Sequence, residues 1–286
     1  MNKVLCLLAA ALLSVTAEAR TSLWQVSKGA QTLYLGGTIH VLSKSDLPLP
    51  ASFQKAFDKT DVLVLETDIK ELMNPDNSLR MLTALTYADG RTLKDVVQPA
   101  TYQAVVDYAQ VESVPVNVFE RMTPAGVALT VLSIELAKAG IQHEGVDKIF
   151  HNQAVLDGRP VLGLESVDQH LSYVTGMGQG AEDDFILQTL EDARKTHESL
   201  RKIINAWRIG DQPALEAEVI DNMPQDYPQL YARLLVERNN NWMPQIIQML
   251  DTPEQELVLV GAAHLVGPDG LLAQLLEKGY QIKQLP

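Results

Sequence analysis

Cysteine is almost missing from this chain: among its 286 residues the one cysteine is Cys6, in the leading segment. A disulfide framework, a thiol nucleophile and a cysteine-bound metal are excluded for everything that follows it. Positive charge is scarce as well. Lys and Arg number 23 against 36 Asp and Glu, the net charge is −13, and no basic cluster occurs. That excludes nucleic acid and anionic membrane surfaces as partners, since both are held through concentrated positive charge. The acidic excess serves solubility. The chain has no Gly-x-Gly-x-x-Gly, no phosphate loop, no His-Glu-x-x-His and no Gly-x-Ser-x-Gly, so the dinucleotide, nucleotide, zincin and serine-hydrolase routes built on those motifs are set aside. Low-complexity segments and short-period repeats are absent.

One long apolar run stands at the start. Lys3 precedes Val4 to Val15, and Ala17-Glu18-Ala19 follows. This fits a secretory signal peptide, residues 1–19, cleaved after Ala19. The run is too short to span a bilayer comfortably, and no lipoprotein-type Leu-Ala-Gly precedes Cys6. The expectation is a periplasmic or secreted protein with no membrane anchor after cleavage. Residues 20–286 then form a single domain with ample length for a full core.

Against these absences, two matched pieces stand out. Leu33-Tyr34-Leu35-Gly36-Gly37-Thr38-Ile39-His40 lies near the start, and Leu257-Val258-Leu259-Val260-Gly261-Ala262-Ala263-His264 near the end. Each is an apolar run that reads as a buried strand, followed by Gly-x-x-His. A glycine lets the backbone turn sharply at the sheet edge, and the histidine emerges beyond it. Both histidines are expected past their strand ends, outside the core, facing one cleft.

Between these pieces strands and helices alternate. Leu23–Ser27 and Thr32–Gly36 form a hairpin around Lys28-Gly29-Ala30-Gln31. A short helix covers 51–59, and Asp61–Glu66 is an apolar strand closed by a carboxylate. Residues 77–111 are helical with a break at Asp89-Gly90. Thr123-Pro124 starts a helix that runs to Lys138, and Gly145–Leu156 is another. Arg159–Glu165 reads as a third buried strand ending in Glu. A long helix is expected over 181–208 and further helices to Leu250, then a strand at 256–260, a helix at 268–278 and a strand at 280–285. The fold class is mixed α/β: a central mixed sheet flanked by helices, with the helical segments 77–140 and 181–250 packed on it.

Four strand ends carry a group that binds metal or moves protons: His40, Glu66, Glu165 and His264. Ligands in open α/β sheets bind outside the carboxyl ends of strands. Two imidazoles and a carboxylate suit a divalent transition metal with an open position. Arg238, in the helical run Tyr231–Trp242, is the basic group placed to reach that edge and hold a carboxylate or oxyanion. His143 and His151 flank a helix start, and His170 and His197 sit on helices, so none of these follows a buried strand. His143 and Glu144 read as surface loop, and Ser166 as a helix N-cap.

The chain resembles the TraB/PrgY/GumN family, with its bacterial GumN-like members nearest, and more distantly the Tiki metalloproteases. The resemblance rests on Tyr34–Leu42, Val62–Glu66, Gly145-Val146-Asp147, Val161–Glu165, Glu237-Arg238-Asn239 with Trp242, and Gly261–Gly267. It implies a mixed α/β fold related to erythromycin-esterase-like and haem-binding ChaN-like proteins. It also implies catalytic His40, Glu66, Glu165, Arg238 and His264, with His40, Glu66 and His264 on a divalent metal: manganese, cobalt or zinc. The activity expected is metal-dependent hydrolysis of a peptide or small-molecule substrate. The alternatives are a metal-free esterase-like hydrolase and a non-enzymatic binder of a peptide or of haem.

Overall fold

The computed structural model describes residues 20–221 and 223–286; the signal-peptide reading of residues 1–19 lies outside the described residues. The chain is mixed α/β, and its centre is a six-stranded sheet whose strands lie side by side in the order Val161–Gly163 (β6), Val62–Leu65 (β4), Glu256–Gly261 (β7), Gln31–Thr38 (β2), Leu23–Lys28 (β1) and Gln281–Gln284 (β8). Strand β1 (Leu23–Lys28) and β2 (Gln31–Thr38) form the expected hairpin. Lys28 pairs with Gln31 across a two-residue turn in which Gly29 takes φ +66°, a conformation that glycine adopts without steric cost.

Strands β4 (Val62–Leu65), β6 (Val161–Gly163) and β7 (Glu256–Gly261) join β2 in parallel. A parallel array covered by helices buries both faces, so its strands read as continuous apolar runs. Leu257, Val258, Leu259 and Val260 are accordingly all fully buried, each contributing about 1.5–3 kcal/mol of burial. Strand β8 (Gln281–Gln284) closes the far edge antiparallel to β1. A separate two-stranded ribbon, β3 (Val41–Leu42) with β5 (His143–Glu144), has no counterpart in the sequence expectation. His143 and Glu144 are exposed there, as a surface segment should be.

Two expectations about elements need correction. Strand β6 is not a buried central strand. It is an edge strand paired with β4 alone, and Leu162 on it is 50% exposed. The long helix expected over 181–208 is two helices, α8 (Glu182–Ala193) and α9 (Thr196–Ile209). They are parted where Arg194 and Lys195 turn to tighter bonds on Glu191 and Asp192.

The helix α1 (Ala51–Phe57) lies close to its expected span; α2 (Ile69–Leu72) has no counterpart in the sequence expectation; α3 (Pro75–Ala84) and α4 (Pro99–Val111) fill the 77–111 run on either side of its break; α5 (Pro124–Lys138) and α6 (Val146–Leu156) lie close to their expected spans, and α7 (Val167–Thr175) is the helix expected after Ser166. Beyond α9 come α10 (Gln212–Val219), α11 (Met223–Asp226), α12 (Pro228–Tyr231), α13 (Glu237–Met249) and α14 (Leu271–Glu277). Thr123 caps α5 by accepting from the Gly126 N–H, and Ser166 caps α7 in a reciprocal box with Gln169, both through the side-chain chemistry that selects such caps.

The flanking helices divide between two cores. Trp207 of α9, Leu215 of α10 and Trp242 and Ile246 of α13 belong to the core of the sheet. Val105 of α4, Val127 and Val131 of α5 and Ile186 and Leu190 of α8 form a second cluster of their own. The 77–140 segment thus rests largely on itself and α8 rather than directly on the sheet. No helix among the described residues is long and apolar enough to cross a membrane.

Candidate active site

Parallel order sets the site. Because β2, β4, β6 and β7 run the same way, the residues after all four emerge at one edge. That edge receives His40, Glu66, Glu165 and His264. Strands β2 and β7 are direct neighbours, with Thr38 opposite Gly261, so the two Gly-x-x-His turns lie side by side.

Arg238 ties these ends together. It lies on α13 directly after a π-type turn, Ala232–Val236, a widened turn often found at functional sites. Its Nε donates to Glu165 Oε2 at 3.0 Å, and its Nη2 to Glu165 Oε1 at 2.8 Å and Glu66 Oε2 at 2.5 Å. Its Nη1 donates to His264 Nε2 at 3.1 Å and, more weakly, to the Leu234 carbonyl at 3.4 Å. A guanidinium carries five N–H groups, and each has an acceptor here. Arg238 therefore holds the centre in place and has no donor left for a substrate.

Glu165 is equally engaged. Besides Arg238 it accepts from Trp242 Nε1 at 3.2 Å and pairs with His170 Nδ1 at 2.8 Å. His170, set aside in the sequence because it follows no strand, belongs to the centre. Helix α7 starts immediately after β6 and brings its first turns back over the strand end.

His264 is fixed in one tautomer. Since Arg238 can only donate, Nε2 must accept, and Nδ1–H then donates to Asn239 Oδ1 at 2.7 Å. Asn239 Nδ2 donates in turn to the carbonyls of His264 and Asp269. The ring packs 4.5 Å from the Trp242 ring and is 3% exposed. Burial, with Arg238 and His40 nearby, pushes its pKa down to about 3 against the pull of Glu66, so it is neutral. The expectation that His264 stands outside the core is corrected: a short turn, Ala262–His264, folds it back beneath α13.

His40 is the exposed partner, its side chain 59% accessible. Its Nδ1 lies 3.2 Å from Asp147 Oδ2. Partial desolvation works against its charge, but the hydrogen bond and charge of Asp147, helped by Glu66, override it and push the imidazole up to about 9. Asp147 sits in the first turn of α6, where the helix dipole favours a carboxylate. Gly145 makes this approach possible. A Cβ there would fall 2.2 Å from the Ile39 carbonyl oxygen and the His40 carbonyl carbon. The Gly145-Val146-Asp147 sequence thus has a local purpose: close contact with the His40 backbone, then a carboxylate for its ring.

Glu66 joins the two histidines. Its Oε1 accepts from the Gly261 N–H at 2.6 Å and lies 3.9 Å from His264 Nε2. Burial disfavours its charge, but Arg238, the histidines and the Gly261 N–H hold it well below the usual carboxylate range.

The metal expectation can be tested on these donors. Among the described residues, the trio with ligand atoms all within 4.8 Å of one another is Glu66, Glu165 and His170, rather than the expected His40, Glu66 and His264. Arg238 Nη2 already bridges the two carboxylates of that trio, so a metal there would have to displace a cation. The expected trio instead borders the space over Gly261, with its ligand atoms farther apart than those of the first trio and with His264 turning a ring carbon toward it. A Cβ on Gly261 would lie 3.1 Å from Glu66 Oε1, 3.5 Å from His40 Nε2 and 3.6 Å from His264 Cδ2. Gly261 leaves that space open, and its donor set of two imidazoles and a carboxylate is one that manganese, cobalt and zinc accept. Both imidazoles have the outer partners that orient metal ligands, Asp147 and Asn239.

The polar residues His40, Glu66, Asp147, Glu165, Arg238, Asn239 and His264 quoted for the resemblance thus meet at one site, and His170 joins them. No curated protein and no solved structure matches the chain. The family model for the TraB/PrgY/gumN family matches residues 22–284, nearly the whole of the described fold, and the chain belongs to that family.

Proposed function

We propose that this protein is a secreted hydrolase that attacks a carbonyl centre, first of all a peptide bond, at the open space over Gly261. One observation carries the reading: an exposed imidazole backed by a carboxylate, a buried neutral imidazole and an ionised carboxylate face the same small space. Secretion follows from the signal-like residues 1–19.

In the first form of the reading a divalent ion is held by His40, Glu66 and His264. Such an ion lowers the pKa of a bound water to about 7 and polarises the carbonyl. The chain's own residues do the rest. Asp147 orients His40 by accepting a hydrogen bond from Nδ1–H, leaving Nε2 toward the space. Asn239 holds the His264 tautomer that keeps the Nε2 lone pair inward. Arg238 and Glu165, fully hydrogen bonded, fix Glu66 in position and serve as positioning residues rather than reacting groups. For His264 to serve a metal, Arg238 Nη1 releases Nε2 and keeps its carboxylates.

A second form rests on that same contact. While Arg238 Nη1 holds His264 Nε2, the neutral form of His40 is the group with an accessible lone pair and an orienting acid behind it. It then takes the proton of the attacking water itself and returns it to the leaving group, while Glu66 stabilises the imidazolium.

The test is hydrolysis of quenched fluorescent peptides by purified protein, with elemental analysis of the same sample. Activity that requires Mn²⁺, Co²⁺ or Zn²⁺ and stops with chelator supports the first form. Activity untouched by exhaustive chelation supports the second. A folded protein that cleaves no peptide or ester in either state overturns the hydrolase reading.

A further inference from the structure

Away from the histidine edge, a recess of about 280 Å³ lies between α1 and the half of the sheet formed by β2, β1 and β8. Its sheet wall is a single cross-strand row. Tyr34 of β2 pairs with Gln25 of β1, and Gln25 with Lys283 of β8. Residues directly opposite share a face, and all three line the recess. Its other wall is a stripe at helical spacing, Ser52 and Lys55 on α1 and Lys59 in the turn that closes it. The sequence has no basic run, yet folding sets Lys283 opposite two lysines 224 and 228 positions before it. No Asp or Glu lines the recess. Among the described residues no acidic group pairs with any of the three ammoniums. A lysine on an edge strand guards against aggregation, which accounts for Lys283 alone; Lys55 and Lys59 repel each other at their spacing. The buried part of the lining makes a separate point. Tyr34 is 8% exposed, and its hydroxyl makes no hydrogen bond to a described residue and opens onto the recess. A phenol that deep in a fold normally has a partner. Ser52, equally buried, shares its hydroxyl with Thr21 Oγ1 at 3.0 Å.

We propose that this recess binds a phosphate group, carried by inorganic phosphate or by a small phosphorylated molecule. Three ammoniums with no carboxylate between them concentrate positive potential in a chain of net charge −13. A phosphate group carries about −1.5 to −2 charges and turns acceptor oxygens in several directions. That suits lysines, which act as separate point charges, whereas a planar carboxylate is best matched by an arginine fork, and no arginine lines the recess. The Tyr34 hydroxyl and the Gln25 amide supply donors of their own to the bound oxygens. The volume lies at the small end of ligand pockets, about 300–1,000 Å³, which fits a small anion. None of these six residues belongs to the histidine centre, so the inference does not rest on the hydrolase reading.

Calorimetric titration of the purified protein tests this, with inorganic phosphate and glycerol 3-phosphate as ligands at constant ionic strength. Both should give a saturable isotherm, and acetate and chloride should give none. Whichever phosphate binds more tightly tells the free ion from a phosphorylated molecule as the occupant. Tyr34→Phe should weaken binding by about tenfold, the scale of one hydrogen bond to a charged group, with melting unchanged because that hydroxyl serves no other residue. Lys55→Gln with Lys283→Gln should abolish saturable binding while the fold holds, since neither ammonium has an acidic partner to lose. No saturable isotherm from either phosphate, equal affinity for acetate, or undiminished affinity in either variant would each overturn the site. Undiminished affinity in the lysine double variant would place the anion elsewhere, at the exposed imidazole of His40.

Discussion

Arg238 Nη1 lies 3.1 Å from His264 Nε2, and because a guanidinium has no lone pair, this contact alone decides that His264 presents an acceptor there. It also couples the second Gly-x-x-His turn to both carboxylates of the site. Removing Arg238 leaves Glu66 and Glu165 buried without their counter-ion. Arg238→Met should therefore cost about 3–5 kcal/mol, the usual penalty for breaking a buried pair from one side. Arg238→Lys should recover part of the stability and little activity, since one ammonium cannot reproduce the fork. Urea denaturation of both variants, set beside their turnover, checks this.

The two histidines should separate in stability although the proposed reaction uses both. His40 is 59% exposed, and His40→Ala should fold, losing only its solvent-screened pair with Asp147. His264→Ala leaves the Asn239 acceptor and an Arg238 N–H without a partner in a buried place, at about 1–3 kcal/mol. Each single variant should lose activity about as fully as the double variant, because groups working as a unit are strongly non-additive. A His264→Ala protein with full turnover would sink the proposed site.

Gly261→Ala is the least disruptive probe of the open space. Its φ of −50° and ψ of 135° are open to any residue, so the backbone tolerates the methyl, and the strain falls on Glu66 Oε1, which the Gly261 N–H and Arg238 hold in place. The methyl would occupy the space between Glu66 Oε1, His40 Nε2 and His264. Activity should fall by about 100-fold or more, the scale on which a misplacement of 1 Å acts, while the protein stays folded with a melting temperature lowered only slightly.

Asp147→Asn keeps a hydrogen bond to His40 and removes the charge. The His40 pKa should drop from about 9 toward its ordinary 6.5, visible by NMR titration of the ring protons. Turnover should fall by about 10–100-fold, as for other residues that orient a reacting imidazole from behind. An unchanged His40 titration would refute the pairing.

Stability should peak near pH 6.5. His40, raised in the folded state to about 9, contributes stability that is complete below the unfolded value and is lost as pH climbs from 6.5 through 9. His264, lowered to about 3, works in the other direction. The unfolded chain takes up its proton below 6.5 while the folded chain does not, so stability falls as pH drops from 6.5 toward 3. Glu66, held below the usual carboxylate range, adds to the acid-side loss below its unfolded value. Thermal melts across this range should show both limbs, with His40→Gln flattening the basic one and His264→Gln the first part of the acid one.

The sequence by itself determined most of the elements and most of the groups gathered at the candidate site. Apolar runs, turn glycines and caps such as Thr123 and Ser166 are local signals, written within a few residues of the feature they produce, so β1, β2, β4, β7 and most helix starts were legible. The strand ends also marked His40, Glu66, Glu165 and His264, because a polar group closing an apolar run needs a partner. The tertiary structure decided what those partners are. Arg238 meets Glu66 across 172 residues of chain and Asp147 meets His40 across 107. Strand order set β2 beside β7 and exposed β6 at the edge, and His170 entered the site because its helix folds back over that edge. Such encounters depend on which strands pair and how the helices between them pack. No local pattern records this, because its free energy is realised only when the whole sheet forms.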